Sequence, residues 1–133
     1  NENIFYSYVN SIAALKNQFD LEKTLRLFEF SFLSELGYGI DFSATAMTSE
    51  PITLNKNYYY EPGEGFFDID SLDESLKTNL LTNGNSFSGS IISAINKRDY
   101  NNKNVRRAAK YIGRKSLDHI LMGKKIKSRD FFR

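Results

Sequence analysis

Cysteine occurs nowhere in the 133 residues. That excludes disulfide staples and thiolate metal ligands, and it is compatible with a reducing compartment. No apolar run approaches the ~20 residues that span a bilayer, and the opening residues carry no signal-peptide pattern. Histidine appears once, at position 119, with no Ser–His–acid spacing around it to suggest a nucleophilic centre. Near the expected end of a helix, His119 reads as a surface or boundary residue. The glycines between Glu61 and Phe66 do not follow a strand and open a helix, so they do not make a phosphate-cradling loop. Asp68, Asp70, Asp73 and Glu74 lack the turn glycine and regular ligand offsets of a calcium loop. No catalytic residue, cofactor or metal ion is expected, and the chain reads as something other than an enzyme.

What is present is a soluble, aromatic-rich composition: 41% hydrophobic, 26% charged, eleven Phe and eight Tyr. That is enough for one hydrophobic core without staples, and a single domain over residues 1–133 is expected. The net charge of +2 conceals an asymmetry. Residues 97–133 hold thirteen Lys/Arg against three Asp, a net +10, and residues 1–96 hold five against thirteen acids, a net −8. A basic segment joined to an acidic remainder suggests a face for a polyanion; the alternative is solvated charge that maintains solubility.

The periodicity predicts a mainly α fold with a small inserted β-hairpin. Ile4, Phe5, Tyr8, Val9, Ile12 and Leu15 recur at helical spacing, predicting a helix near 3–17 that pairs antiparallel with the next. That next helix carries Leu21, Leu25, Phe28, Phe32 and Leu36 as its core stripe, Asp20 as N-cap, and Gly37 and Gly39 at its end. Residues 41–70 lack helical period; Tyr58–Tyr60 and Phe66–Phe67 flank a Pro/Gly turn and read as a hairpin. Ser71 and Glu74 form a capping box ahead of Leu72, Leu76 and Leu80, and Ser88 caps a helix through Ile91, Ile92 and Ile95. A final helix over 104–121 turns Val105, Ala109, Ile112, Ser116 and Ile120 inward, and Gly123 ends it before a basic tail.

Two sets of residues are candidates for binding. Arg106, Arg107, Lys110 and Arg114 share an arc of ~100° away from the apolar stripe, followed by Lys124, Lys125, Lys127 and Arg129. Clustered cations bind phosphate backbones by counterion release, and they equally suit an acidic protein partner. Tyr111, Phe131 and Phe132 either stack on unpaired bases or, for the last two, anchor a tail on the core. Arg26 projects beside Phe30 and Leu33, off the core stripe. Such a site suits a peptide with an apolar side chain and a free carboxylate; the plainer reading is an i,i+3 pair with Glu29.

The order Leu25, Arg26, Phe28, Glu29, Leu33, Leu36, Gly37, Tyr38, Gly39 resembles the LRxFExxLLxxLGYG pattern of the bacterial RecO recombination-mediator family. Gly123, Ile126, Lys127, Ser128 and Arg129 resemble that family's G-x-x-[IL]-K-S-R ending, and Arg107-Ala108-Ala109-Lys110 falls where it has an Arg/Ala-rich helix. The resemblance implies the C-terminal helical part of such a protein, with an OB-fold expected ahead of it; the chain starts at Asn1 rather than Met, so a fragment is expected. It implies a cytoplasmic, nucleoid-associated mediator that binds the acidic, Pro-Phe-ending tail of single-stranded DNA-binding protein (SSB) at Arg26, Phe30 and Leu33. It also implies contact with RecR and with single- and double-stranded DNA, more weakly without the OB-fold, in strand annealing and RecA loading. The alternative is a protein-only adaptor for acidic partners. Many members carry two C-x-x-C zinc pairs in the hairpin region; here Thr45, Thr48, Asp68 and Ser71 hold those places, so a zinc-ribbon-like loop without metal is expected.

Overall fold

The computed structural model describes residues 18–83 and 85–132, with side chains described over 20–83 and 85–122. The helix expected near 3–17, and its pairing with the next, lie outside the described residues. Contacts divide the chain after Gly39 into two compact units. As expected, the architecture is mainly α with a small antiparallel sheet.

In the first unit, α1 spans Gln18–Glu35. Asp20 therefore stands inside the first turn, where a carboxylate opposes the helix dipole, rather than in front of the helix as a cap. The helix ends in a Schellman motif: the Tyr38 amide donates to Leu33 O at 2.8 Å and the Gly37 amide to Ser34 O at 3.0 Å. Gly37 takes φ +88°, which costs a residue without Cβ nothing. The buried side of α1 differs from the one its apolar periodicity indicates. Arg26 and Leu33 are buried, whereas Phe32 and Leu36 are exposed. The two faces are offset by roughly 100°. Periodicity registers only apolar residues, and an arginine neutralised by a neighbouring carboxylate is buried as well.

The second unit is built on three strands. β1 (Asn57–Glu61) and β2 (Gly65–Asp68) form the expected hairpin, closed by a hydrogen bond from the Glu64 amide to Glu61 O at 3.0 Å. A third strand, β3 (Ser86–Ser88), pairs antiparallel with β1 on its other side, giving the order β2-β1-β3. Because Tyr60 faces Phe66 and Tyr58 faces Phe87 in register, these four aromatics share one side of the sheet. Tyr58 and Phe66 are almost fully buried. On the opposite side Tyr59 and Phe67 stack at 5.1 Å.

After β2, a 3-10 turn (Ile69–Ser71) leads to α2 (Glu74–Asn83). The cap of α2 is Asp73, whose Oδ1 accepts the Leu76 amide at 2.9 Å, not Ser71. The Ser71 hydroxyl is already committed to Asp68 O at 2.6 Å in the preceding turn. No residue of α2 is buried. The cap predicted at Ser88 is formed, its Oγ accepting the Ile91 amide at the start of α3 (Gly89–Asn96).

Gly89 opens α3 under severe constraint. Its amide donates to Lys56 O at 2.8 Å, and a Cβ placed on it would lie 1.8 Å from Thr53 O. Only a residue with no side chain lets the 53–56 loop close on the helix start.

The last helix, α4, runs Lys103–Phe132, packs against α3, and begins beside Asn102, whose Oδ1 accepts the Asn104 amide at 2.7 Å. Val105, Ala109, Ile112 and Ser116 are buried as their spacing requires. The helix does not stop at Gly123. Glycine inside a helix costs only about 1 kcal/mol relative to alanine, and the sequence that follows has no proline to stop the propagation. Ser116 Oγ donates to Ile112 O and lies 2.7 Å from Tyr60 Oη, so Tyr60 is the donor that ties the sheet to α4. Burial pushes the Tyr60 hydroxyl above its ordinary pKa.

Candidate functional site

The outer face of α4 carries the candidate polyanion surface. Arg107, Lys110 and Arg114 are exposed there, and so is Lys103. At ~100° per residue these four lie within a ~60° arc and cover about 16 Å of helix. None of them belongs to the ion pairs Arg26–Glu29, Lys56–Asp68 or Lys77–Asp70. The spacing i, i+4, i+7, i+11 that aligns the cations is fixed by the same period that buries Val105, Ala109, Ile112 and Ser116 on the other side.

Arg106, grouped with these cations from the sequence, does a different job. It is half-buried, and its Nη1 donates to Tyr100 O at 2.8 Å and Asn101 O at 3.0 Å. It thus ties down carbonyls of the α3–α4 connection. Lys103 was missed because the helix was expected to start one residue later; extending the wheel by that residue finds it. Lys115 lies 5.5 Å from the Tyr111 ring centroid, and that ring also packs against Phe87 at 5.6 Å. Tyr111 is therefore held between the sheet and a lysine. The side chains of Lys124, Lys125, Lys127, Arg129, Phe131 and Phe132 lie outside the described ones.

Arg26 is only 4% exposed, and its Nε stands 2.6 Å from Glu29 Oε1. The i,i+3 pair is thus formed. Leu33 is fully buried and Phe30 half-buried. His119 is exposed and lies against the hairpin turn, 2.9 Å from where a Cβ on Gly63 would stand.

Thr45, Thr48, Asp68 and Ser71, which the resemblance sets against zinc ligands, are engaged in two sets of hydrogen bonds. Thr45 Oγ1 and Thr48 Oγ1 are 2.8 Å apart, and Thr45 Oγ1 also accepts the Glu50 amide at 2.9 Å. Asp68 Oδ1 accepts the Asp70 amide, its Oδ2 pairs with Lys56 Nζ at 3.3 Å, and Ser71 Oγ bonds Asp68 O. The Ala46 amide donates to Phe66 O at 2.8 Å, fastening this loop to β2. Neutral hydroxyls engaged in this way, with one carboxylate already ion-paired, are not a zinc donor set. Among the described residues no group of three or more His, Cys, Asp or Glu is placed to hold a metal. Replacing Thr45 by Val leaves the Glu50 amide without its acceptor, so stability should fall by about 1–2 kcal/mol, read as a lower midpoint in a thermal melt by circular dichroism. The unmodified protein should melt at the same temperature with and without EDTA; a chelator-induced drop would contradict the hydrogen-bonded account.

Residues 1–130 match the family model described as "Recombination protein O C terminal". The chain belongs to the RecO C-terminal family. Its relatives include the DNA repair protein RecO of Haemophilus influenzae strain PittGG, 37% identical over 99% of this chain and 52% of that protein. RecO of Actinobacillus succinogenes is 33% identical over 99% of the chain and 52% of its own length. RecO of Vibrio cholerae strain M66-2 is 34% identical over 98% and 50%. The chain thus spans about half the length of the RecO proteins it matches. Among the described residues no helix is long and apolar enough to cross a membrane.

Proposed function

We propose that this chain is the helical part of a cytoplasmic RecO-type recombination mediator that acts in DNA repair without covalent chemistry, by holding partners side by side. The partners in this reading are SSB, RecR and DNA, and the outcome is strand annealing and RecA loading. The observation that carries it is the exposed line Lys103–Arg107–Lys110–Arg114 on α4 in a chain of the RecO family. Such a line follows a phosphate backbone through charge and leaves the bases unread. The tail cations Lys124, Lys125, Lys127 and Arg129 extend it in sequence. Arg26, Phe30 and Leu33 are the proposed receptor for the SSB tail, and Glu29 is the carboxylate that the tail's terminus would replace on Arg26.

Fluorescence anisotropy with two labelled probes tests both parts. An oligothymidylate should bind with an affinity that falls steeply with salt, the log–log slope being about −0.7 per phosphate engaged. An acidic peptide ending in Pro-Phe should bind more tightly than the same peptide without its final Phe. Salt-independent or absent oligonucleotide binding would remove DNA from the reading, and equal binding of the two peptides would remove the tail receptor.

A further inference from the structure

The outward side of the sheet carries a row of three residues, one from each strand. Tyr59 of β1 stands across from Phe67 of β2 and from Ser86 of β3, and all three are half-buried. Tyr58, Tyr60, Phe66 and Phe87 share the other side, so alternation along the strands turns this row away from them. The Tyr59 and Phe67 rings are 18° from parallel, with centroids 5.1 Å apart. At that separation two rings cannot lie flat side by side, so they overlap face to face with an offset. One face of Tyr59 is thus taken by Phe67, and the other is turned toward β3, where its neighbour is a serine. A cross-strand aromatic pair stabilises a hairpin without further help; it does not account for the small third place in the row.

Glu61 lies two residues along β1 on the same side, exposed, and across from Gly65. It belongs to none of the ion pairs Arg26–Glu29, Lys56–Asp68 or Lys77–Asp70. Burial and, secondarily, the Glu61 carboxylate push the Tyr59 hydroxyl above its ordinary pKa, so the carboxylate is felt at the ring. The three strands hold no lysine or arginine, and the hairpin turn adds a second exposed acid, Glu64.

We infer that the outward side of the sheet binds an arginine side chain of a partner protein, its guanidinium stacked on Tyr59 over Ser86 and paired with Glu61. Neighbouring strands are about 4.8 Å apart, so a flat group seated over Ser86 comes within stacking distance of the Tyr59 ring. The place asks for a group that is flat, cationic and able to donate in a fork to a carboxylate, and a guanidinium is all three. A lysine ammonium supplies the charge alone. A nucleobase is also flat, but its phosphates would meet Glu61 and Glu64 as like charges. This side of the sheet and the cation line of α4 therefore take partners of opposite charge.

The test is fluorescence anisotropy on the 133-residue chain with a labelled, end-capped peptide of two arginines set among glycines and serines. Control peptides carry lysine, or citrulline, which keeps the flat end group and loses the charge. The arginine peptide should bind at least about tenfold more tightly than the citrulline peptide, and more tightly than the lysine peptide. Tyr59→Leu, Glu61→Gln and Ser86→Val, each checked for folding by circular dichroism, should each weaken it at least about fivefold and leave oligothymidylate binding unchanged. Glu61 is exposed at a strand end, so its variant decides the matter even where Tyr59→Leu fails to fold. Equal binding of the arginine and citrulline peptides, or arginine binding that survives Glu61→Gln, overturns the inference and leaves the aromatic pair a hairpin staple. Equal binding of the arginine and lysine peptides overturns it in favour of a diffuse acidic surface, and oligothymidylate binding lost in Ser86→Val overturns it in favour of a base platform. Absence of arginine-peptide binding overturns it outright.

Discussion

Gly89→Ala is expected to lower stability by about 3 kcal/mol or more. The added methyl would stand 1.8 Å from Thr53 O, 2.6 Å from Thr53 C and 3.1 Å from Leu54 Cα, all backbone atoms. No rotamer change relieves such a contact, so either α3 or the 53–56 loop must move. Movement breaks the hydrogen bond from the Gly89 amide to Lys56 O, worth about 1 kcal/mol, on top of an overpacking cost of about 1–3 kcal/mol. It also disturbs the hydrogen bond that the Thr53 amide donates to the buried Tyr58 hydroxyl, 2.8 Å long. For a chain of this size the melting midpoint should fall by roughly 10–15 °C, measured by circular dichroism. A variant melting within a few degrees of the parent would show that this closure contributes little.

The second large effect is on binding. Arg107→Glu, Lys110→Glu and Arg114→Glu together replace three exposed cations with three anions along one line of α4. Affinity for oligothymidylate should fall by at least about 100-fold at low salt, because three counterion-releasing contacts become repulsive. The melting midpoint should stay within a few degrees, since none of the three contributes to the core. Arg106→Ala supplies the contrast: it should weaken binding little and stability more, because Nη1 satisfies Tyr100 O and Asn101 O. If Arg106→Ala weakened binding as much as the triple reversal, the division between binding and structural cations would be wrong.

Those two results bear on what a sequence alone reveals. The Schellman end of α1, the β1–β2 hairpin, the Ser88 cap and the inward side of α4 were legible because each is written in neighbouring residues: a glycine after a helix, aromatics about a Pro-Gly turn, a serine before isoleucines. β3 was not, because Ser86-Phe87-Ser88 offers one apolar residue and its partner strand lies across α2. Ser71 looked like a cap because Glu74 follows at the right interval; the competing bond to Asp68 O is visible only once the preceding turn is built. The cation line was legible from helical period, but Arg106 was assigned to it because a wheel shows direction and not the carbonyls within reach. Nor could any local signal reveal that Gly89 has no room for a side chain, since Thr53, which closes on it, lies thirty-six positions earlier.

The bare burial of α2 sets how this region opens. A helix with no buried side chain is held mainly by its own backbone ladder, the Asp73 cap and the surface pair between Lys77 and Asp70, 2.7 Å long. Such surface pairs are screened by solvent and contribute little. Residues 74–83 can therefore unwind while the register of β1 with β2 and β3 stays intact, and the free energy of that opening sits far below that of global unfolding. The segment behaves as a slack tether between two anchored strands, lending the sheet a connection without lending it rigidity.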